Sequence, residues 1–298
     1  MKRLGTTIAA GLLAATSAQA QFFSDGEIAF HFLESDGTDW HALSGDFTLG
    51  YRFDDIWSFE IGLDGSRTRF DSGFYDSTYM AFATITATTD IGRFQIGRPR
   101  LVIEDYFEAA DFVSDYATKY YFPTFFHSMA FEDIYLDANN FHGLRYDGQW
   151  GNTRVGASVT QETDGTTDTY LQFALTHQID VYTLGVGLER ETTDDETSAY
   201  FSAVGDWGRF GGSLLYRTYD DGSGFRGEFY NAGMDFDITE RLNIELMYST
   251  LASFGDTWKS ATLTYDITDN AYVALSGGDF NLIDDPLYSL TFGWRLDY

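Results

Sequence analysis

Four carboxylates, Glu104, Glu108, Asp111 and Asp115, follow one another at intervals of four, three and four residues. At about 100° per residue they share an arc of about 60° on a helix, opposite Val102, Tyr106, Ala109, Val113 and Ala117. A helix with one apolar and one acidic stripe can lie on a wall by one side and present carboxylates from the other. The same pattern also suits the solvated face of an ordinary surface helix. Carboxylates so arranged break no bonds; they concentrate cations. Their natural counterparts are arginines. Arg98 and Arg100 stand where this segment begins, and Arg52, Arg145, Arg154, Arg217, Arg241 and Arg295 occupy polar positions of alternating runs elsewhere.

Those alternating runs are the elements that must position the charges. From Tyr288 to Tyr298 the chain alternates without a break. Tyr288, Leu290, Phe292, Trp294, Leu296 and Tyr298 fall on one face, and Ser289, Thr291, Gly293, Arg295 and Asp297 on the other. Side chains of a strand switch faces at every residue, so one face is apolar and the other polar and mostly small. Runs of about ten residues with this pattern recur from Glu27 onward, roughly sixteen in all. Leu43–Phe53, Trp57–Asp64, Tyr182–Glu189 and Arg209–Tyr219 are clear examples, whereas Thr78–Thr88 mixes small and apolar residues on both faces.

Short connections such as Asp90-Ile91-Gly92 and Trp207-Gly208 alternate with longer ones such as Asp220–Arg226, as in an up-and-down meander. Pro99, Pro123 and Pro286 fall outside strand interiors, where proline would delete a ladder hydrogen bond. The polar face carries many glycines, among them Gly50, Gly62, Gly156, Gly185, Gly187 and Gly293. Such a face cannot form a solid core, and about sixteen strands enclose more space than side chains fill. The expectation is an antiparallel barrel that is wet inside and apolar outside.

Composition narrows the setting. Lys2 and Arg3, the apolar stretch Ile8–Ala15 and the sequence Ala18-Gln19-Ala20 read as a secretory signal over residues 1–20, followed by one domain over 21–298. Removing it takes two of the 18 basic and none of the 46 acidic residues, which leaves a formal charge of −30. Nucleic-acid binding is excluded, because a phosphate backbone needs basic patches. There is no cysteine.

With these residues in view, the chain resembles Gram-negative general porins of the sixteen-stranded alphaproteobacterial type. The likeness covers residues 21–298. It rests on strand count, the alternation of turns and loops, the closing run Phe292-Gly293-Trp294-Arg295-Leu296-Asp297-Tyr298, and the run Gly92-Arg93-Phe94-Gln95-Ile96-Gly97. In that family the latter kind of run is the fifth strand, just before a long third loop. The resemblance implies an all-β transmembrane barrel of the outer membrane, meeting lipid and lipopolysaccharide, that passes small hydrophilic solutes and ions and assembles as a homotrimer through its early strands. The third loop, about 98–140, would fold inward, setting Glu104, Glu108, Asp111 and Asp115 against Arg98, Arg100, Arg52, Arg145 and Arg154 at a constriction. Arg52 and Arg295 lie near the short-turn rim and fit that role poorly.

The loop's later aromatics, Tyr120, Tyr121, Phe122, Phe125, Phe126, Phe131 and Tyr135, either pack on the wall or form a stacking track for sugars. No G-x-S-x-G is present, and His31, His41, His127, His142 and His177 lack metal-ligand spacing, so they read as ordinary rim, loop or belt residues. The expectations are no enzyme activity and no resident cofactor, with Ca²⁺ or Mg²⁺ bridging acidic outer loops to lipopolysaccharide as the one metal role. Barrel enzymes and soluble acidic β proteins are the outlying alternatives.

Overall fold

In the computed structural model, residues 21–35, 38–70, 75–107, 127–131, 134, 140–163, 168–281 and 285–297 are described. Residues 1–20, and with them the expected signal, lie outside this set. The alternating runs form sixteen strands. The first four are β1 (Gln21–Ser35), β2 (Thr38–Arg52), β3 (Trp57–Phe70) and β4 (Tyr75–Thr89). After β5 (Gly92–Arg98) the described residues of the long connection include two short helices, α1 (Val102–Tyr106) and α2 (Met129–Phe131). The middle strands are β6 (Phe141–Trp150), β7 (Thr153–Glu162), β8 (Thr169–Ile179), β9 (Tyr182–Glu191) and β10 (Thr197–Asp206). The last are β11 (Phe210–Asp220), β12 (Arg226–Thr239), β13 (Leu242–Leu251), β14 (Asp256–Asp266), β15 (Ala271–Phe280) and β16 (Leu287–Asp297).

Every strand pairs antiparallel with its neighbour, and β16 closes on β1 with Phe30 opposite Phe292 and His31 opposite Thr291. Closure leaves no sheet edge. The run Gly92–Gly97 is the fifth strand and the connection after it spans Pro99–Asn140, both as the sequence implies. The strands extend further into the other connections than the alternation suggests: residues 36 and 37 alone separate β1 from β2.

The two faces invert the usual order of burial. On β16 the outward Tyr288, Phe292 and Trp294 are 54%, 47% and 53% exposed, while the inward Ser289 and Thr291 are 2% and 3% exposed. Large apolar side chains stand outward all round the barrel, including Ile61, Ile85, Leu144, Val186, Leu214 and Leu263. A belt of this size is tolerable only against hydrocarbon, so the outer wall is a lipid-facing surface. β4 resolves the ambiguous run. Met80, Phe82, Thr84 and Thr86 point inward, and the small outward residues are Ala81, Ala83 and Ala87. Thr84 and Thr86 are inner-wall residues, 4% and 1% exposed.

The interior is not uniformly polar. Toward the short-turn rim, inward side chains enclose a cavity of about 1000 Å³ lined by β1–β6 and β13–β16 together with Arg100 and Asp105. Toward the other rim many inward positions are apolar and buried, beside polar ones such as Glu189 and Arg217: Trp40, Phe229, Met247, Trp258, Phe280 and Leu287 join α1 in one cluster. Alternation alone predicts a wet inner face throughout. These strands instead carry apolar residues on both faces near that rim, one set against lipid and the other in an internal core. Several inward glycines also serve contact rather than open space. A Cβ on Gly156 would meet the Tyr106 ring and Val102 at 2.8 Å, and one on Gly185 would meet the Phe107 ring at 2.9 Å.

Leu214, 60% exposed on the outer face near the middle of β11, tests which face meets lipid. Leu214→Arg should cost about 2–4 kcal/mol, the range for arginine at the bilayer midplane. The neighbouring inward Ser213→Arg should cost far less. Equilibrium unfolding from lipid vesicles checks both, and equal costs would refute the assignment of faces.

Candidate functional site

The long connection is fixed to the inner wall at both of its described ends, through side chains that cap its helices from far away in sequence. α1 begins at Leu101, which offers no side-chain cap. The Val102 N–H donates instead to Gln172 Oε1 on β8 at 2.8 Å. α2 is received by Glu189 on β9, whose carboxylate accepts from Met129 N at 2.9 Å and Ala130 N at 3.2 Å. Gln172 Nε2 (2.7 Å) and the Tyr200 hydroxyl (3.0 Å) donate to the same carboxylate. A carboxylate or amide oxygen at a helix start satisfies N–H groups that have no partner within the helix. Arg217 on β11 donates to the His127 carbonyl. Below the polar caps, Tyr106 and Phe107 seat on Gly156, Gly185 and Gly187, and Phe107 stacks on Tyr200 at 5.5 Å.

Within the connection, Glu104 ties the two ends together. Its carboxylate accepts from His127 Nδ1–H at 2.6 Å and from Ser128 N at 2.8 Å, and His127 stacks on Phe131 at 4.1 Å. Burial raises the Glu104 pKa, but His127 and the Ser128 donors outweigh it and hold the group below the ordinary glutamate value. Burial beside Asp147 pushes Tyr106 up to about 12, so its hydroxyl stays a donor to Asp147 Oδ1 at 3.3 Å.

Six carboxylates (Asp25, Glu27, Asp46, Glu60, Asp105 and Glu245) and four arginines (Arg93, Arg100, Arg145 and Arg295) line the cavity. Each arginine is matched to a carboxylate. Arg93 binds Glu60, and Arg100 binds Asp46 with one contact at 3.0 Å while lying over the Phe82 ring. Arg145 joins Asp105 of α1 to Asp147 beside it on β6, and Arg295 meets Asp266 at 2.9 Å. The remaining lining is hydroxyl-rich, with His31 bridging Thr291 (2.9 Å) and Ser44 (2.7 Å) across β16, β1 and β2.

The sequence-derived residues divide accordingly. Arg100 and Arg145 are brought together in the cavity wall with Asp105. Arg98 is held by the Asn140 side chain (3.1 Å) and lies over the Phe141 ring, and Arg154 lies over the Tyr106 ring at 4.3 Å. Arg52 is exposed at the short-turn end of β2, outside the cavity lining. Glu104 faces His127 rather than the cavity; Asp105, which the stripe passes over, faces Arg145. The helix also stops early, because Phe107 adopts φ −133 and ψ 88. Glu104 is therefore not on a continuous helical stripe with the later acids. Glu108, Asp111 and Asp115 lie outside the described residues, as do the loop aromatics other than Phe131.

His31 differs from its expected place, being a buried bridge in mid-strand, while His127 lies in the long connection as a loop residue and is the partner of Glu104. Nothing local in the sequence marks Gln172, Glu189 or His127, since each acts on a residue at least 23 positions away. Among the described residues no group of three or more His, Asp or Glu is placed to hold a metal. Described acidic residues of the loops have local partners. Asp221 accepts from Ser223 and Phe225 and is lowered by them, and Asp195 and Asp220 pair with Arg190 and Arg226.

Fold and site together define a closed, lipid-facing barrel with an inward-folded connection and a charged lumen. Solved outer-membrane barrels share this architecture. A loop-deletion mutant of OmpT, an outer membrane protein of Vibrio cholerae, is 12% identical with a TM-score of 0.65, over 93% of this chain and all of that one. A triple mutant of Rhodopseudomonas blastica porin is 12% identical with a TM-score of 0.61 over the same shares. In-vitro folded OmpT in its trimer form is 11% identical, also at 0.61, again over 93% and 100%. At such identities the likeness establishes the fold. No family model and no curated protein matches the chain.

Glu189→Ala would leave two backbone N–H groups, Gln172 and Tyr200 short of an acceptor, each on the order of 1–3 kcal/mol when buried. Gly156→Val should lift α1 by steric contact alone. Both should expose the connection to limited proteolysis while the barrel stays intact. Because the Glu104 pKa is depressed in the folded state, its contribution is complete above the unfolded value of about 4.3 and is lost as pH falls further. Hydrogen exchange of residues 127–131 should accelerate below that pH, and Glu104→Gln should abolish the dependence. A pH-independent wild type would contradict the role of Glu104.

Proposed function

We propose that the protein is an outer-membrane channel for passive diffusion of small hydrophilic solutes and ions, with a preference for cations. The observation that carries this reading is the cavity. It is polar, lies inside a barrel whose exterior suits hydrocarbon, and has six carboxylates to four arginines in its lining. Since each arginine already faces a carboxylate, the excess over the lumen is negative. A water-filled cleft of one sign of charge focuses the field and raises the local concentration of counter-ions. The wall acids Asp25, Glu27 and Glu245 supply part of that field, and Glu108, Asp111 and Asp115 add to it if they reach the lumen.

A second reading, a channel specific for sugar-like solutes, is favoured by paired rings on the inner wall. Trp258 and Phe280 stack at 4.6 Å and Trp40 and Phe70 lie 6.2 Å apart. Both pairs lie in the buried cluster that packs on α1, so a sugar would stack on them only where that cluster opens, and the apolar half of the lumen would then select rather than merely narrow.

In the same proposal the chain is a homotrimer whose early strands meet through the short outward face of Ala81, Ala83 and Ala87. Ca²⁺ or Mg²⁺ joins its acidic rim to lipopolysaccharide phosphates, which complete the ligand set. A monomer in sedimentation after mild extraction, or a melting temperature indifferent to chelator, would remove these two parts separately.

In planar bilayers the purified protein should give stepwise conductance that prefers potassium to chloride, more weakly as salt rises because screening shortens the field to about 10 Å at 0.1 M. Changing Asp25→Asn, Glu27→Gln and Glu245→Gln together should lower the preference. Glu108→Gln with Asp111→Asn measures the loop's share. Anion preference or absent conductance overturns the reading, and saturable block by an oligosaccharide moves it to the sugar-specific form.

A further inference from the structure

Two phenyl rings stand in the open at the rim that carries the long connection. Phe225 ends the turn between β11 and β12, Phe254 lies in the turn between β13 and β14, and their centroids are 5.5 Å apart. They are 39% and 64% exposed. The pair belongs to the mouth of the lumen and not to the lipid-facing wall. A Cβ on Gly227, an inward position opposite Tyr219, would meet the Phe225 ring at 3.6 Å. The turn that carries Phe254 closes on the carbonyl of Leu251, whose side chain packs on the internal core. The two turns are also tied together. Ser253 Oγ donates to the Arg226 carbonyl and accepts from the Glu228 N–H, both at 3.1 Å. Asn281 donates to the Gly255 carbonyl at 3.2 Å and accepts from the Thr257 N–H at 2.7 Å. A Cβ added to Gly224 or Gly255, each next to one of the rings, would meet nothing within 4 Å, so the backbone beside the pair is bare and open.

We infer that this aromatic pair takes the quaternary ammonium group of a soluble organic cation at the mouth of the lumen. The inference deepens the channel reading above, on which it rests, by naming a class of cation. The face of an aromatic ring is the negative end of its quadrupole and attracts a cation laid over it. A quaternary ammonium suits such a face better than a primary one, because it has no N–H that would need an acceptor. Charge around the pair has the matching sign. The connections of residues 192–196 and 221–225 hold four carboxylates, Asp194, Asp195, Glu196 and Asp221, and no basic residue. They lie against each other, since a Cβ on Gly222 would run into the Asp194 carbonyl. Asp221 accepts from the Phe225 N–H at 3.0 Å, which sets a carboxylate in the same turn as the exposed ring. Hydrogen bonds, that of Ser223 first, hold Asp221 below the ordinary aspartate value, so it is ionised at neutral pH. The flanking bases, Arg190 and Arg226, are paired with Asp195 and Asp220. A neutral sugar could stack on the same rings but would draw nothing from these charges.

The test is calorimetric titration of the full-length protein in a non-ionic detergent, with bilayer conductance as an independent check on folding. Three probes are added in turn: choline, the neutral alcohol in which carbon replaces its nitrogen, and glucose. Choline should bind at least about fivefold more tightly than the alcohol of the same shape, the gain of a cation over a ring face. Phe225→Leu with Phe254→Leu keeps the apolar bulk and should erase that advantage, whereas Phe254→Trp should increase it. Asp221→Asn should weaken choline binding and leave the alcohol unaffected. Phe201→Leu, exposed on the outer wall, should change neither. Equal affinity for choline and the alcohol, a full advantage in the double leucine variant, or tighter binding of glucose than of choline overturns the inference, whether or not the protein conducts. A protein that binds choline and does not conduct would instead strike the channel reading.

Discussion

Closure of the sheet is the constraint on which everything else depends. A strand inside hydrocarbon can leave no backbone group unpaired, since lipid offers no partner. Pairing of β1 with β16 through ten residues, from Asp25 opposite Asp297 to Glu34 opposite Tyr288, completes the ladder. Once closed, the wall has two faces of fixed parity, and every later choice is a choice of which side chain stands on which face. Apolar residues can then be spent on the outside without aggregation through an edge, and charge can be stored inside.

The inside is organised by a second, smaller constraint: the starts of two short helices must find acceptors. Gln172 and Glu189 provide them from the wall, and the glycines at 156, 185 and 187 make room for the rings that follow. The connection is thus fastened to one side of the barrel, β7 to β9. The charged cavity is left on the other side, along β1–β6 and β13–β16. Asymmetry of the lumen follows from where the caps sit. It also explains why acids and arginines meet in contact, as with Asp105 and Arg145, and not across an open gap. A field in such a lumen comes from an excess of carboxylates along the wall.

The polar and apolar halves of the interior answer to the same logic. Near the short turns, hydroxyls and ion pairs face water. Near the opposite rim, Trp40, Phe229, Trp258 and Phe280 turn inward and pack with α1. A barrel that is half core and half cavity presents two different environments to anything that crosses it, which is why the solute-specific reading stands beside the simpler one.

Period-two alternation alone set out the barrel: the runs that begin at Leu43, Tyr182 and Tyr288 are carried by β2, β9 and β16 as far as Arg52, Glu189 and Asp297, because side-chain parity is local and needs no partner to be read. The span of the long connection was equally legible, since nothing between Arg98 and Asn140 alternates. Helical spacing was not enough for the acids. Glu104 fits the stripe in number, yet Phe107 leaves the helix and Glu104 turns to His127, a contact across 23 positions that no local pattern carries. Nor could parity distinguish inward residues that face water from those that face a core: Gly156 reads as an inner-wall position, and only the placement of α1 buries it. The caps on Gln172 and Glu189 belong to the same class. Sequence specifies which face a residue takes, because that is a property of the strand. What the residue meets there depends on segments distant in the chain, and tertiary structure decides it.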